Sequence, residues 1–385
     1  MRLLYIANLR LPTEKAYGIN IAEMCRAFAD NGLDVALVFP YRRSPHKKVF
    51  SEYYGVKNNF KAKMIPAVDF YFPGKLDRIS VAIKNFLSGI SLACYGLFSG
   101  ADTIYSRDEL PLFLLSFFRD NLCFEAHRFS SKRALFYNRF KKIGIKTVVI
   151  SAGLEKEFIN FGFKENNILV APDGVNLKEF DIDMEKERAR SELSLPRGGR
   201  LVGYVGSFTT LGMKKGLDIL FEALSLIKEA NVKLLLIGSS VNPADVEYYK
   251  KLAENFGIKD RVIFVGQVSH SLVPLYLKGC DVLVMPFPNL KHYSVYMSPL
   301  KLFEYMASRR PIVATDLPSV REVLNDKNSI LAKPDDADSS AQGIRRVLDD
   351  NMLGDELAKK AREDVENYTW AKRAKNILNF TKKTA

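Results

Sequence analysis

The sequence predicts an α/β protein made of two Rossmann-like, doubly wound parallel sheets, each covered by helices. Three observations carry this expectation. Short apolar runs alternate with helical periodicities, the pattern of helix-covered parallel strands. The alternation breaks off around residues 176–196 and then starts again. The length, 385 residues, exceeds one ordinary core and suits two domains.

In the first half, strands are expected at Leu3 to Ala7, Asp34 to Phe39, Thr103 to Tyr105, Leu122 to Glu125, Thr147 to Ile150 and Ile168 to Ala171. Helical patterns such as Ile19 to Ala29 and Leu110 to Phe118 separate them. Met1 to Ala7 reads as a buried strand and not as the apolar region of a signal peptide. The longest apolar stretch, Phe86 to Phe98, falls short of the roughly 18 to 20 residues a spanning helix needs and is expected to be a core helix, with an interfacial role as the second reading. An Asp-Gly pair, a charged segment and Pro196-Arg197-Gly198-Gly199 then interrupt the periodicity. The expected domains are therefore 1–178 and 179–363, with a final helix in 364–385 packing back on the first. Second-half strands are expected at Leu201 to Val205, Lys233 to Ile237, Val262 to Val265, Val282 to Met285 and Ile312 to Ala314.

At 47% hydrophobic and 26% charged residues, the chain is globular and not disordered. Its four cysteines, Cys25, Cys94, Cys123 and Cys280, form no Cys-x-x-Cys pair, so neither a zinc site nor a disulfide framework is indicated, and a reducing compartment is expected. Of the net charge of +13, +9 falls within residues 1–180, where 26 Lys and Arg oppose 17 Asp and Glu. Arg42, Arg43, His46, Lys47 and Lys48 form one basic cluster; Lys132, Arg133, Arg139, Lys141, Lys142 and Lys146 form another. Such patches suit anionic lipid headgroups or a polyphosphate, and equally a solvated basic face. The expected location is cytoplasmic, with peripheral attachment to the inner face of the plasma membrane as its extension.

Ligands of open parallel sheets bind beyond the carboxyl ends of the strands, so the loops after strands are the informative ones. After Asp281 to Met285 comes Met297-Ser298-Pro299-Leu300-Lys301-Leu302-Phe303-Glu304. Ser298 before Pro299 predicts a capped helix start whose amides and dipole, with Lys301, attract an anion. Glu304 lies one turn on and suits a hydroxyl pair. Phosphate site plus sugar site together suit a nucleotide diphosphate; the plain alternative is an exposed Lys301–Glu304 pair on an ordinary helix. Gly206, with Ser207, follows another strand, and Lys214 and Lys215 stand just before Gly216 and a helix, an arrangement that lets amides and a lysine reach a phosphate. In the first half, Asn8 to Asn20 carries Gly18 and Asn20, with Gly18 expected to allow close backbone approach ahead of a helix. It lacks Gly-x-Gly-x-x-Gly, which disfavours plain dinucleotide binding. His127 follows the strand ending at Glu125, where an imidazole suits a bound sugar and Glu125 suits an orienting role. Pro172-Asp173-Gly174 is read as a turn.

Taken together, Ser298 to Thr315, Gly206 to Leu217, Phe124 to His127 and Ala171 to Asn176 resemble the retaining glycosyltransferases of family 4. The resemblance implies the GT-B fold, two Rossmann-like domains facing a central cleft. It implies that Glu304 binds the ribose of a UDP- or GDP-linked sugar donor. The diphosphate would be held by Lys215, Lys301, Gly206 and Ser207, and the Met297 to Leu300 segment. His127 would touch the transferred sugar or the leaving phosphate, and Gly18 and Asn20 would line the acceptor side. Two departures stand out: Tyr296 occupies the place of a glutamate that many members carry eight residues before Glu304, and Ser207 that of an arginine.

The expected activity is metal-independent, retaining hexosyl transfer to a glycan, lipid-linked or small-molecule acceptor in the synthesis of bacterial surface polysaccharide or glycolipid. No cofactor and no metal site are expected: the chain is read as lacking an Asp-x-Asp triplet, with Lys215 and Lys301 standing where a divalent ion stands elsewhere. A nucleotide-sugar 2-epimerase would share the fold but needs more acid and base groups than His127 supplies. A non-catalytic binding module and a basic nucleic-acid- or membrane-binding protein are the rivals from other classes. The nucleic-acid reading lacks any RNA-binding or helix-turn-helix motif, and no nucleic acid is expected as a partner.

Overall fold

A computed structural model describes residues 1–46, 48–210, 212–240 and 242–382. The chain forms two compact units, Met1–Asp173 together with the helix Trp370–Lys382, and Gly174–Thr369. These limits stand beside the expected 178/179 and 363/364. Val175 N–H donates to the Tyr368 carbonyl at 2.9 Å, so both segments beside the crossings belong to the second unit. In the first unit, Arg373 Nε donates to the Pro172 carbonyl at 2.9 Å, tying the final helix to the segment that leaves the sheet.

In the first unit, strands β1 (Arg2–Ile6), β2 (Asp34–Pro40), β3 (Lys61–Ile65), β4 (Thr103–Ser106), β5 (Leu122–Ala126), β6 (Lys146–Val149) and β7 (Ile168–Val170) form one sheet in the order β3-β2-β1-β4-β5-β6-β7. Every pairing is parallel. The chain begins in the middle, winds outward to β3 and returns to β4, so the switch point lies between β1 and β4. Leu3 to Ile6 are fully buried because helices cover both faces, which explains the unbroken apolar run. The additional strand β3 reads Lys-Ala-Lys-Met-Ile, and its first four residues are exposed at the sheet edge, so no apolar run announces it.

The expectation of a core helix around Phe86 to Phe98 is corrected. The helix runs from Asp77 to Leu97, and its buried residues are Ser80, Lys84, Ser88, Gly89, Leu92, Ala93 and Gly96. Apart from the buried Leu92, large apolar side chains, among them Ile79, Ile83, Phe86, Leu87 and Ile90, face outward. Small residues bring the inner face close to its neighbours: a Cβ on Gly89 would lie 2.6 Å from Leu110.

The second unit repeats the design. β8 (Arg200–Val205), a short hairpin of β9 (Thr209–Thr210) and β10 (Met213–Lys214), β11 (Val232–Ile237), β12 (Val262–Gly266), β13 (Val282–Met285), β14 (Ile312–Thr315) and β15 (Ile330–Ala332) give a six-stranded sheet in the order β12-β11-β8-β13-β14-β15. It is parallel throughout, with the switch point between β8 and β13. Alternate residues serve opposite cores: Leu201, Leu235 and Leu283 pack on one face, Val202, Leu234 and Val282 on the other.

Candidate functional site

At the carboxyl ends of β8 and β13, the second unit gathers Gly206, Ser207, Lys215, Lys301 and Glu304. The helix carrying the last two spans Leu300–Ala307 and is buried from Lys301 onward, so Lys301 (7% exposed) and Glu304 (8%) are not an exposed surface pair. Lys301 Nζ has no hydrogen-bond partner among the described residues. It lies 3.7 Å from the ring centroid of Tyr204 and 5.3 Å from that of Phe287, contacts that favour a cation but donate no lone pair. Burial, and then the neighbouring Lys215, push its pKa well below the usual lysine range. Burial also lowers Lys215, to about 8, while its ammonium donates to Ser207 Oγ at 2.8 Å. Two crowded amines, with the Glu304 carboxylate acting against their depression at Lys301, make a site where an added anion would favour the charged forms.

The glycines act here through space. Gly206 has φ +127°, and a Cβ would sit 3.2 Å from Lys301 Nζ. Its own N–H is engaged by the Ile237 carbonyl at 2.8 Å, so the expected donation of this amide to an anion is corrected. Gly216, at φ +80°, begins the helix Leu217–Leu226, and a Cβ there would meet the Pro286 carbonyl at 1.6 Å. That close approach presses the start of this helix, with Lys215 just ahead of it, against the loop after β13. The expected Ser298 cap is likewise corrected: Pro299 occupies the N-cap position and the helix starts at Leu300. Met297, Ser298, Pro299 and Leu300 therefore form the approach to the helix, with Met297 in the core. Glu304 Oε1 meets His270 Nε2 at 2.9 Å. His270 escaped the sequence reading, although it is one of only four histidines and follows a strand at its carboxyl end.

The first unit holds a buried polar network at the corresponding edge of its sheet. His127 Nε2 lies 2.5 Å from Glu125 Oε1, as expected for an orienting carboxylate. Glu125 also accepts from Tyr105 and, at 2.9 Å, from Arg373 Nη2. Burial works to raise the Glu125 pKa, but Arg373 foremost, then His127 and Arg107, holds it well below the usual carboxylate range. Burial, seconded by Arg107, lowers His127 and keeps its imidazole neutral. Asn20 donates to Asp173 at 2.6 Å and accepts from Arg107 at 3.3 Å, which makes the Pro-Asp-Gly turn part of the network. Gly18 is placed differently from expectation. It is the third residue of the helix Ala16–Asp30, and the space a Cβ would need is filled by the Tyr54 hydroxyl, 2.1 Å away. That hydroxyl donates to the Thr13 carbonyl and accepts from its N–H, so Gly18 shapes the loop after β1. Arg373 and Arg107, distant in sequence from every motif, were not foreseen.

Oxygen and nitrogen atoms of Glu125, His127 and Asp173 lie within 4.8 Å of one another, close enough for a metal ion. Arg373 already pairs with Glu125, and Arg107 adds positive charge, which disfavours a cation there. The expectation that the chain lacks an Asp-x-Asp triplet, on which metal independence rests, is corrected: the sequence contains two. In Asp181-Ile182-Asp183, Asp181 pairs with Arg362 at 3.1 Å; in Asp336-Ala337-Asp338, Asp336 caps the helix Ala337–Asp349 through Ser339 N–H at 2.9 Å.

Two parallel sheets, each with its polar site at the switch point, are the GT-B fold. A crystal structure of Anabaena Alr3699/HepE in complex with UDP superposes at a TM-score of 0.76 with 15% identity, covering 98% of this chain and 99% of that one. Sucrose-phosphate synthase (tll1590) from Thermosynechococcus elongatus also gives 0.76, with 21% identity over 99% and 98%. Within this fold, residues 199–350 match the family of glycosyl transferases group 1, and Lys215, Lys301 and Glu304 lie inside the matched segment. An uncharacterized glycosyltransferase of Methanocaldococcus jannaschii, MJ1607, is 30% identical over 247 residues, which is 62% of this chain and 60% of that protein. The chain spans only 54% and 52% of two further curated relatives.

Proposed function

We propose that the protein is a retaining, metal-independent glycosyltransferase that moves a hexose from a UDP- or GDP-linked donor to a glycan, lipid-linked or small-molecule acceptor. The observation that carries the reading is the unpartnered, buried ammonium of Lys301 beside Lys215 at the β8/β13 switch point. A donor diphosphate beside the two amines raises both pKa values and favours their charged forms. As the sugar leaves, negative charge grows on that diphosphate, and cations already fixed at the site stabilise it without reorganisation. Glu304, held by His270, accepts from the ribose hydroxyls. In the first unit the neutral His127, its Nε2–H donated to Glu125, accepts through Nδ1 from a hydroxyl of the transferred sugar, and Asn20 serves the acceptor side. Retention and the hexose donor rest on the family resemblance, and the UDP in the HepE structure supports a nucleotide donor.

The test is a thermal-shift titration with UDP, GDP, ADP and their sugar conjugates on the wild type, Lys215→Ala and Glu304→Ala. Donor at about 100 times its dissociation constant adds roughly 2.7 kcal/mol of stability. A base-selective shift that both variants lose is expected. If no nucleotide shifts the wild type, the transferase reading fails; conversion of the donor to an epimer without any acceptor would favour the epimerase instead.

A further inference from the structure

The helix Asp77–Leu97 has its polarity turned inside out. Helices of water-soluble domains bury an apolar stripe and expose polar residues. Here the inward face carries Ser80, Lys84 and Ser88, all hydrogen bonded within the unit. Ser88 Oγ donates to Asn8 Oδ1 at 2.7 Å and accepts from Arg42 at 2.7 Å, and Lys84 pairs with Asp69 at 3.3 Å. The outward face carries Ile79 (50% exposed), Phe86 (55%) and Ile90, and the ridge extends through Leu76 (55%) into the preceding Phe72 and Tyr71. The Lys84 ammonium lies over the Tyr71 ring at 3.5 Å and fastens that segment to the inner side of the helix, beside the exposed ridge.

By length and composition alone the helix is apolar enough to cross a bilayer. Its inward hydrogen bonds, and the Cβ positions of Gly89 and Gly96 lying within about 3 Å of Leu110 and Leu115, keep it packed along the unit instead. The rim of the patch is basic. Lys75 and Arg78 are exposed at its amino end, and Lys63 of β3 sits 4.8 Å from the ring of Tyr95 near the other. The nearby acids are engaged internally, Asp69 by Lys84 and the Arg43 N–H, Asp77 by the Ser80 hydroxyl. An apolar ridge with a basic rim, its nearby Asp69 paired with Lys84, is what an anionic lipid interface complements.

We propose that this face of the first unit lies in the headgroup and upper acyl region of an anionic bilayer, with the helix Asp77–Leu97 parallel to the membrane plane. The inner face of the helix contacts Asn8 and Arg42, which follow β1 and β2, so docking holds the carboxyl-edge loops of the first sheet at the lipid surface. Resting on the transferase reading, this selects a lipid-linked acceptor. The docking itself does not depend on that reading.

Three of the four cysteines are buried and Cys94 is exposed on this helix, so the full chain accepts a polarity-sensitive fluorophore there without mutation. Mixed with vesicles of phosphatidylcholine containing 30% phosphatidylglycerol, as roughly the anionic fraction needed to create a negative surface, the labelled protein is expected to shift to the blue and co-float. Pure phosphatidylcholine is expected to bind far more weakly, and added salt to reverse the anionic contribution. Lys75→Ala and Arg78→Ala should each weaken partitioning about fivefold, and Phe86→Ser roughly tenfold or more. Unchanged melting temperatures confirm that these exposed substitutions leave the fold intact. Failure to co-float at low salt, or partitioning indifferent to all three substitutions, overturns the proposal. So does light scattering showing that Phe86→Ser converts a dimer to a monomer, which would assign the patch to a second copy of the chain.

Discussion

Replacing Lys301 by Met separates what this residue does for stability from what it does for binding, because the two effects have opposite signs. Met keeps most of the side chain's length and volume while removing the unpartnered amine buried beside Lys215 and Gly206. An unsatisfied buried polar group costs about 1–3 kcal/mol, and the contact with the Tyr204 ring returns roughly 1 kcal/mol. The variant without ligand should therefore gain about 1 kcal/mol, or roughly 2–4 °C for a unit of this size. Linkage fixes the pH dependence. A lysine whose pKa is depressed in the folded state weakens that state fully below the depressed value and not at all above the unfolded value near 10.4. The advantage of the Met variant should thus shrink as pH rises towards about 10. With UDP the order reverses. Losing one charge-assisted bond of about 2 kcal/mol weakens binding about thirtyfold, so UDP at 100 times the wild-type dissociation constant should stabilise the variant by less than about 1 kcal/mol instead of roughly 2.7. Calorimetry in buffers of different ionisation enthalpy gives a second readout. Because Lys215 lies near pH 8, UDP binding at that pH should draw about half a proton from the buffer onto this residue, with any uptake by Lys301 additional. A Met variant that is clearly less stable without ligand, yet keeps the full UDP-induced shift, would refute the assignment of Lys301 to the diphosphate.

Two further substitutions probe the remaining polar groups. Glu304→Gln should weaken UDP roughly 10- to 150-fold, the worth of about 1.5–3 kcal/mol of charge-assisted bonding to the ribose hydroxyls, while inorganic pyrophosphate, which has no ribose, binds as to the wild type in the same calorimeter; equal losses for both ligands would place Glu304 elsewhere. Arg373→Met strands the fully buried Glu125 carboxylate and should cost about 3–5 kcal/mol in urea unfolding at neutral pH, with much of the loss recovered by adding Glu125→Gln. The pH trend of this pair is diagnostic. With Arg373 present, Glu125's depressed pKa gives stability that is complete above the unfolded carboxylate value near 4.3 and fades as pH falls through the folded one. Without Arg373, burial dominates, Glu125 takes up a proton more readily than in the unfolded chain, and mild acid should restore part of the lost stability. A variant as stable as the wild type at pH 7 would contradict this account.

The sequence by itself determined the alternation of buried strands and helices, the doubling of the sheet and the loops in which a ligand site belongs. These are local matters: parallel strands covered on both faces must be apolar throughout, and a glycine or lysine just past such a strand is legible from its neighbours alone. Lys215, Lys301 and Glu304 were readable for that reason. β3 was not, because an exposed edge strand rich in lysine carries no apolar signal, and neither was the outward ridge at Phe86, since an apolar periodicity shows that one face is apolar without showing which way it points. Tertiary structure alone decided partnership. It set His270 against Glu304 across 34 residues and Arg373 against Glu125 across 248. It filled the space beside Gly18 with Tyr54 and left Lys301 Nζ without a hydrogen-bond partner among the described residues. Pairings over such separations follow from how the sheets order their strands, and that order is a property of the packed core, which no short window of residues contains.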